Sequence, residues 1–545
     1  MSSLPPFSAL QTARMNYKPL VPEILNQLKS IKFHADFLVK EEKKSQEGIA
    51  KLFPHTYFQP FLSLKSGLQK NSSSLKIGVL FSGGQAPGGH NVVAGILDAL
   101  LELNKESELI GFLNGPEGLI NSQYKQITLE SLFTYRNQGG FDLLGSGRTK
   151  IESKQQIQAA IQTVSSLNLD GLVIIGGDDS NTNSAFLAEA FEREKVKTCV
   201  VGVPKTIDGD LKNEQIEISF GYDTACKTYS EIIGNLAKDA LSAKKYYFFV
   251  KMMGRSASHI ALECAVKTQI NMVVIGEEIA ALKMSLDEVV KQIANLICKR
   301  ADADKYYGVI LIPEGIVEFI EEFKQMIQEV NQLDCLKNVQ KTDLDQVKEA
   351  LSSKSVDCLT HLPDSFQKQL LLERDCHGNV QVSKIEIERL LIDLVQKELI
   401  TRSQFKDSIH KFSPQPFFCG YEGRSAFPSN FDSNYCYALG KSAALLIESK
   451  ANGYLATISG LGLPVEKWAV SGTPIAQMLH FENRKGEKKA VIQKGLVDLD
   501  GKIFQFYQQQ KERWAIEDNY QVPGPIQFQG DLDLTDAPPL ILKSF

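Results

Sequence analysis

Short apolar runs alternate with longer amphipathic stretches from about residue 75 onward, and this alternation constrains the fold more than any other feature. Most of the runs are apolar throughout, as strands buried on both faces of a parallel sheet are. The stretches between them have the apolar spacing of helices, as in 91–105 and 184–195. The runs are LKIGVLF (75–81), LIGFL (109–113), GLVIIG (171–176), TCVVGV (198–203), YYFFVK (246–251), MVVIG (272–276) and YGVILIP (307–313). The sequence therefore predicts an α/β fold built on parallel sheets.

Two series of such runs, before and after about residue 245, predict two doubly wound, Rossmann-like lobes with a cleft between them. We place the first lobe at 71–244 and the second at 245–314 and 413–545. The stretch 315–412 contains two helical patterns and is predicted to be a helical insertion in the second lobe. Residues 1–70 are predicted to form a mostly helical extension.

Within that extension, residues 21–44 (VPEILNQLKSIKFHADFLVKEEKK) have the apolar spacing of an amphipathic helix. The Asn-Ser-Ser-Ser stretch at 71–74 then marks a linker or turn before the first lobe. We expect both the extension and the insertion to pack at a subunit interface.

The composition narrows the class of protein and of partner. The chain has 545 residues, 43% of them hydrophobic, and a net charge of −5, which gives no indication of a nucleic-acid or membrane-surface partner. Its nine cysteines form no CxxC pair, which favours reduced thiols over disulfides or a zinc site. No run approaches the ~20 apolar residues of a membrane helix, and the N-terminus lacks the apolar segment of a signal peptide. We therefore expect a soluble cytoplasmic protein.

Four glycines within seven positions follow the first apolar run, in the stretch SGGQAPGGHN (82–91). Glycines let the backbone approach an anion closely, because they have no side chain. The helix that follows offers free N–H groups at its N-terminus. The alternative is a tight turn that binds nothing, but four glycines exceed what a turn requires. The spacing matches neither GxGxxG nor a Walker A motif, which argues against a Rossmann dehydrogenase and a P-loop NTPase.

Two adjacent aspartates, Asp178 and Asp179, follow the third run in VIIGGDDSNTNSA (173–185). A carboxylate beside a diphosphate is explained if it holds Mg²⁺, directly or through water. That accounts for one aspartate and leaves the other unexplained by the residues alone.

A lysine, two aspartates and a glycine follow the fourth run, in PKTIDGDLKN (204–213). A carboxylate fixed on a strand-end loop can accept a proton from an attacking hydroxyl. A nearby lysine can neutralise the charge of a transferring phosphoryl group. Taken alone, the Asp-Gly-Asp segment fits an ordinary turn equally well. Because the glycine loop and the acidic pair precede it at equivalent strand ends, a catalytic loop is favoured.

Glycine-flanked arginines occur in two later motifs, Arg255 in MMGRSASHIALECA (252–265) and Arg424 in FCGYEGRSAFP (418–428). An arginine fork beside helix amides suits a phosphate monoester. Glu314, directly after the run 307–313, is placed to accept hydrogen bonds from sugar hydroxyls. These parts together predict phosphoryl transfer from a polyphosphate donor to a hydroxyl of a sugar phosphate.

Three further side chains lie near these motifs. Arg148, in the Gly/Ser-rich turn GSGRTK (145–150), fits a donor contact and a solvated surface position equally well. His90 and His259 each begin a helix beside a motif and fit structural and catalytic roles equally; neither has metal-ligand spacing.

The motifs SGGQAPGGHN, GGDDS, PKTIDGD, MGR, PEG and GYEGR, in this order, resemble those of phosphofructokinases. They are most similar to the long, pyrophosphate-dependent class, whose length and helical insertion also match. The resemblance covers roughly residues 70–315 and 413–475. It implies reversible, Mg²⁺-dependent transfer from pyrophosphate to the C1 hydroxyl of fructose 6-phosphate, a glycolytic reaction that gives fructose 1,6-bisphosphate and phosphate.

The resemblance also implies roles for single residues. Gly84 and Lys205 would contact pyrophosphate, Asp178 would bind Mg²⁺, and Asp208 would accept the proton of the sugar hydroxyl. The remaining positions matching the family's substrate-binding motifs are Thr206, Ile207, Lys245, Tyr246, Met253, Gly254, Arg255, Glu314, Tyr421, Glu422, Gly423 and Arg424. In this class the pair Lys245 and Tyr246 reaches a neighbouring subunit's site, which implies at least a homodimer.

Two positions concern the choice of donor. ATP-dependent relatives carry GGDGS and PGTIDND, so Asp179 and Lys205 each replace a glycine here. The side chain and charge of Asp179 would occupy the space of a nucleotide's α-phosphate, and Lys205 adds a positive charge suited to compact pyrophosphate. Gln85 stands where many members of the long class have proline, and we expect no effect on the chemistry. An ATP-dependent phosphofructokinase and a non-catalytic regulatory subunit are the alternatives.

Overall fold

The computed structural model describes residues 6–36, 47–68, 71–333, 344–372, 380, 382–484 and 487–543. Two compact units are distinguished by their internal contacts. The first comprises Met1–Ala225, Tyr421–Gly495 and Ile526–Leu542. The second comprises Cys226–Gly420, Leu496–Pro525 and Lys543–Phe545.

Strands and helices alternate along most of the described chain. The strands are β1 (Ile31–Asp36), β2 (Phe61–Ser66), β3 (Lys76–Phe81), β4 (Glu108–Phe112), β5 (Tyr124–Ile127), β6 (Gly171–Gly176), β7 (Cys199–Pro204), β8 (Tyr247–Met252), β9 (Met272–Val273), β10 (Gly308–Pro313), β11 (Pro414–Cys419), β12 (Tyr454–Ser459), β13 (Ala469–Pro474), β14 (Leu479–Arg484) and β15 (Glu487–Ile492). The predicted strand runs in both series are confirmed, because each contains or overlaps one of β3, β4 and β6–β10.

Several helices have the amphipathic pattern that the sequence indicates, as in Leu286–Ala301, where Val289, Ile293 and Ile297 are buried. They are α1 (Ala9–Met15), α2 (Glu47–Leu52), α3 (Gly89–Leu103), α4 (Pro116–Ile120), α5 (Leu129–Phe133), α6 (Lys154–Ser166), α7 (Asp178–Arg193), α8 (Tyr222–Ala243), α9 (His259–Thr268), α10 (Gly276–Leu282), α11 (Leu286–Ala301), α12 (Glu321–Gln332), α13 (Leu344–Ala350), α14 (Ser353–Thr360), α15 (Asp364–Leu372), α16 (Ile387–Ile400), α17 (Glu422–Ser425), α18 (Asn430–Glu448), α19 (Lys502–Ile516) and α20 (Leu532–Thr535).

The first unit is built on a sheet whose described strands run in the order β1-β2-β13-β12-β7-β6-β3-β4-β5. Its centre, from β12 to β4, is parallel, and both flanks are antiparallel. Every residue of β6 and β7 is buried, as the continuous apolar runs predicted. The chain passes from β3 to β4 on one side and then to β6 on the other. The order therefore reverses between β3 and β6, which is where open α/β sheets bind ligands.

The second unit is built on a sheet whose described strands β11, β8, β10 and β9 are all parallel. Its apolar core continues into the helical stretch after residue 315, where Phe323, Met326 and Leu391 pack in one cluster with Phe249 and Ile312. The insertion thus shares the core of the second unit.

The predicted helix over 21–44 is wrong for residues 31–36, which form β1 and pair antiparallel with β2. In IKFHAD the apolar side chains of Ile31 and Phe33 are buried and the intervening Lys32 and His34 are exposed, which is the two-residue period of a strand. Pairing with a strand thirty residues away outweighs the helical spacing of the longer window. Residues 37–44 lie outside the described residues.

The segment Tyr421–Gly495, which the sequence places in the second lobe, packs in the first unit. The physical reason is strand pairing: β12 lies parallel to β7, and β13 joins β12 to β2. β12 and β7 are about 250 residues apart in sequence, and β13 and β2 about 400, so no local pattern reports these pairings.

Candidate active site

The glycine loop after β3 is held by a second turn, 145–148. The amide of Gly83 donates to the carbonyl of Gly147 at 2.9 Å, and Ser146 Oγ donates to the carbonyl of Gly83 at 2.6 Å. Gly83 has a φ of 87°, which favours glycine. The loop then enters α3 at Gly89. Its backbone is therefore fixed before any ligand arrives.

Lys205 lies under this loop, at the end of β7. Its side chain is only 5% exposed, and Nζ donates to the carbonyl of Gly84 at 2.7 Å. Burial lowers the pKa of Lys205 to about 8, with Arg424 and Arg148 acting in the same direction and Asp208 and Asp178 opposing it. A buried cation is stabilised when it gains a negatively charged partner.

The two aspartates begin α7, directly after Gly177. The Asn181 amide donates to the carbonyls of Gly176 and Gly177 at 2.6 and 2.9 Å, and Ser180 Oγ donates to Ser82 Oγ at 2.8 Å. These bonds join the ends of β3 and β6. They also fix the direction of the first helical turn, which carries both carboxylates.

Asp178 and Asp179 have different surroundings. Asp178 lies close enough to Lys205 and Asp210 to influence the pKa of each. The Asp179 carboxylate instead faces Lys150, with Oδ1 and Nζ 3.3 Å apart. The sequence singled out neither Lys150 nor this ion pair.

Asp208 occupies the loop after β7 and is half-buried. Its backbone N–H donates to Thr206 Oγ1 at 3.1 Å, which shapes the loop. Two residues on, Asp210 is 6% exposed, and burial together with the charges of Asp208 and Asp178 raises its pKa to about 7. Negative charge from three carboxylates therefore converges at the ends of β6 and β7.

Arg148 and Arg424 both lie beside the glycine loop. A Cβ built on Gly84 would stand 3.7 Å from Arg424 Cζ and 3.9 Å from an Arg148 amino group. Arg424 also lies 5.0 Å from the ring of Tyr421, which is exposed. The resemblance implied a sugar-phosphate contact for the YEGR segment, whereas within the first unit its arginine borders the predicted donor loop.

In the second unit, the predicted residues follow the parallel strands. The amide of Met253 donates to the carbonyl of Cys419 at 3.1 Å, and that of Glu314 donates to the carbonyl of Met252 at 2.8 Å. This pairing brings the MGR motif beside Glu314, which is 5% exposed. The Arg255 side chain is exposed. An arginine and a carboxylate thus share one edge of this sheet.

Lys245 and Tyr246 precede β8, whereas Arg255 follows it. They therefore lie at the opposite edge of the sheet from the MGR motif of their own chain. The Lys245 ammonium stands 5.0 Å from the Tyr246 ring.

Both histidines, His90 and His259, are buried. His90 Nδ1 lies 3.3 Å from the Gln138 carbonyl, and Nε2 accepts from the Leu143 amide at 3.4 Å. Burial lowers the pKa of His90 to about 4, so the ring is neutral near pH 7.

The donor set fits Mg²⁺. This ion takes oxygen ligands and is commonly held by one or two carboxylates together with substrate phosphates. Asp178 offers such a carboxylate at the loop, and the convergence of charge on Asp210 is what a divalent cation would relieve. Among the described residues no group of three or more His, Cys, Asp or Glu side chains is arranged to hold a metal by itself.

Sequence reasoning gave no role to Lys150 or Asp210. Lys150 ends the motif GSGRTK and Asp210 ends the motif TIDGD. Their closeness in sequence to Arg148 and Asp208 is the signal that the sequence offers. What was missing is the fold that places Lys150 against α7 and buries Asp210.

The fold and these strand-end motifs define a phosphofructokinase-type α/β protein. The family model described as "Phosphofructokinase" matches residues 76–362, and the chain belongs to this family, as predicted. It is 45% identical to the pyrophosphate–fructose 6-phosphate 1-phosphotransferase of Treponema pallidum, covering 98% of this chain and 96% of the relative. It is 47% identical to the beta subunit of that enzyme from Ricinus communis, covering 96% and 95%.

A solved structure, that of the pyrophosphate-dependent phosphofructokinase from Marinobacter aquaeolei, has the same fold with a TM-score of 0.55. It is 13% identical and covers 86% of this chain and 96% of its own. The predicted fold class, α/β with two Rossmann-like lobes, is confirmed. None of the helices in the described part of the chain is long and apolar enough to cross a bilayer.

Proposed function

We propose that this chain is an enzyme that transfers a phosphoryl group reversibly from pyrophosphate to the C1 hydroxyl of fructose 6-phosphate. The products are fructose 1,6-bisphosphate and phosphate, and the reaction is glycolytic. The observation that carries the proposal is the buried Lys205 ammonium, 2.7 Å from the carbonyl of Gly84, in a loop whose backbone is fixed. The names of the two curated relatives support the same activity.

The choice of donor follows from the same loop. Lys205 and Asp179 stand where ATP-dependent relatives have glycine, so the pocket gains one cation and one carboxylate. The cation lies at the glycine loop, where two phosphates suffice to reach it. The carboxylate begins α7, where the rest of a nucleotide would meet the volume of its side chain.

In the chemical step, the C1 oxygen forms a bond to the terminal phosphorus of pyrophosphate as the bridging P–O bond breaks. We assign Asp208 to accept the hydroxyl proton, because it is a half-buried carboxylate on the loop next to Lys205. Lys205 counters the negative charge on the transferring and departing phosphates. Arg148 and Arg424, beside Gly84, add to that positive charge.

Asp178 would hold Mg²⁺ together with oxygens of pyrophosphate. The ion would supply charge neutralisation on the phosphoryl oxygens. The protein's own contribution is to keep the Asp178 carboxylate on a helical turn that is hydrogen-bonded to the end of β3.

The sugar phosphate remains assigned, as a proposal, to the residues that the resemblance implies: Thr206, Ile207, Met253, Gly254, Arg255, Glu314, Tyr421, Glu422, Gly423 and Arg424. Lys245 and Tyr246 lie at the far edge of the second sheet from Arg255, which supports their proposed service to a partner's site in a homodimer. We propose a cytoplasmic location on the basis of composition.

One assay tests the function. Purified protein receives fructose 6-phosphate and Mg²⁺ with either pyrophosphate or ATP, and fructose 1,6-bisphosphate is measured. We expect turnover with pyrophosphate and little or none with ATP. Faster turnover with ATP would establish the ATP-dependent alternative, and no turnover with either donor would favour the regulatory-subunit alternative. The reverse reaction, from fructose 1,6-bisphosphate and phosphate, gives an independent reading of the donor.

A further inference from the structure

The ion pair between Lys150 and Asp179 lies at the mouth of the donor loop. Lys150 Nζ stands 3.3 Å from Asp179 Oδ1, and the two side chains are 33% and 49% exposed. An exposed pair of this kind adds little to the stability of a fold. Because the pair lies beside the proposed site for a multiply charged anion, its charges affect the binding of that anion.

Lys150 is carried on a turn that is fixed at both ends. At one end Ser146 Oγ donates to the carbonyl of Gly83 at 2.6 Å. At the other, Ile151 and Asn183 exchange two hydrogen bonds: the Ile151 amide donates at 3.1 Å and the Asn183 side-chain amide donates back at 2.7 Å. Because Asn183 is in α7, this turn and the turn carrying Asp179 keep a constant separation.

The negative charge of Asp179 is unfavourable for the proposed donor. A carboxylate that discourages nucleotides also repels pyrophosphate, which is more densely charged. Lys205 cannot compensate for it, because its ammonium is buried and points to Gly84. Lys150 does contact the carboxylate, with Nζ 3.3 Å from Oδ1.

We propose that Lys150 is a positioning and specificity-determining residue, which holds and neutralises the Asp179 carboxylate. Asp179 then blocks the larger donor by its volume without repelling pyrophosphate. The inference rests on the proposed function, since it takes pyrophosphate as the donor. It differs from a direct role of Lys150, because here the lysine acts through Asp179.

A double-mutant cycle tests this with Lys150→Met, Asp179→Asn and the double variant. In the wild-type background we expect Lys150→Met to raise the KM for pyrophosphate about fivefold with kcat little changed, as expected for a partly exposed charge pair. In the Asp179→Asn background we expect the same change to have less than about a twofold effect. Lys150→Arg should restore most of the wild-type KM. Lys154→Met, at an exposed lysine four residues away, is the matched control.

An equal rise of KM in both backgrounds would show that Lys150 contacts the donor directly and would overturn the proposal, as would no rise in either. If the Asp179→Asn enzyme turns over too slowly for a KM, titration calorimetry with magnesium pyrophosphate measures a dissociation constant for each variant. The double-mutant cycle is then calculated from these constants. A wild-type enzyme that prefers ATP would contradict the proposed function instead, so the two failures are distinguishable.

Discussion

Two glycines at strand ends, Gly84 in the first unit and Gly315 in the second, lack side chains for different reasons. A Cβ on Gly84 would meet its nearest atoms at 3.7 and 3.9 Å, which is ordinary contact distance, and those atoms belong to arginines. A Cβ on Gly315 would lie 1.7 Å from the carbonyl oxygen of Arg255. The first glycine leaves open space bordered by cations, and the second allows two backbone segments to pack.

This contrast extends to the cations of the two regions. Lys205 is buried and already aimed at the glycine loop, whereas Arg255 is exposed. The donor region therefore has its charge in place before binding. In the second region the backbone is fixed by sheet pairing, and the charged side chain is exposed. Preorganised charge matters most where charge develops during the reaction.

The largest effect should come from Asp208→Ala, which removes the proposed proton acceptor next to the preorganised cation. We expect kcat to fall by about 10²–10⁴-fold, the usual contribution of a general base. The half-buried carboxylate is not part of the core, so circular dichroism and the unfolding temperature should change little. A fall of less than about tenfold would assign the proton to another group.

Gly315→Ala tests whether this glycine is required for the close packing of two backbone segments. The added methyl group must displace the backbone of Arg255, which we expect to destabilise the protein by about 1–3 kcal/mol. Thermal unfolding with and without ligands measures this change. An unchanged unfolding temperature would mean that the Arg255 backbone can move aside at no cost in stability. Gly315 would then not be required for packing, and it would not differ from Gly84 in this respect.

Gly84→Ala tests the open side. We expect the unfolding temperature to stay the same, because the methyl group meets no atom closer than 3.7 Å. The same group would occupy space used by the donor, so the KM for pyrophosphate should rise about tenfold. The KM for fructose 6-phosphate, measured in the same assay, is the internal control. A loss of stability without a change in KM would give this glycine a structural role.

The sequence was sufficient for the parts of the molecule that local patterns report. The apolar runs of β6 and β7 and the polar residues at their ends place Asp178 and Lys205 at one sheet edge. Long-range pairing was not predictable: β1 depends on β2, and β12 depends on β7 across about 250 residues. The same limit hid the contact of Lys150 with Asp179, because it requires the turn that Asn183 anchors to α7.

The smallest predicted effect concerns the protonation of Lys205. Its pKa of about 8 in the free enzyme lies below the ordinary value of 10.5, so the ammonium loses its proton as pH rises through 8. Because pyrophosphate binds better to the charged form, its KM should rise about threefold to fourfold between pH 7 and 8.5. Lys205→Arg keeps its charge throughout this range and should show no such rise, whatever its KM at pH 7. That variant also corrects for the titration of pyrophosphate itself. An equal rise in both enzymes would place the titrating group elsewhere and would remove the argument that the donor region depends on a desolvated cation.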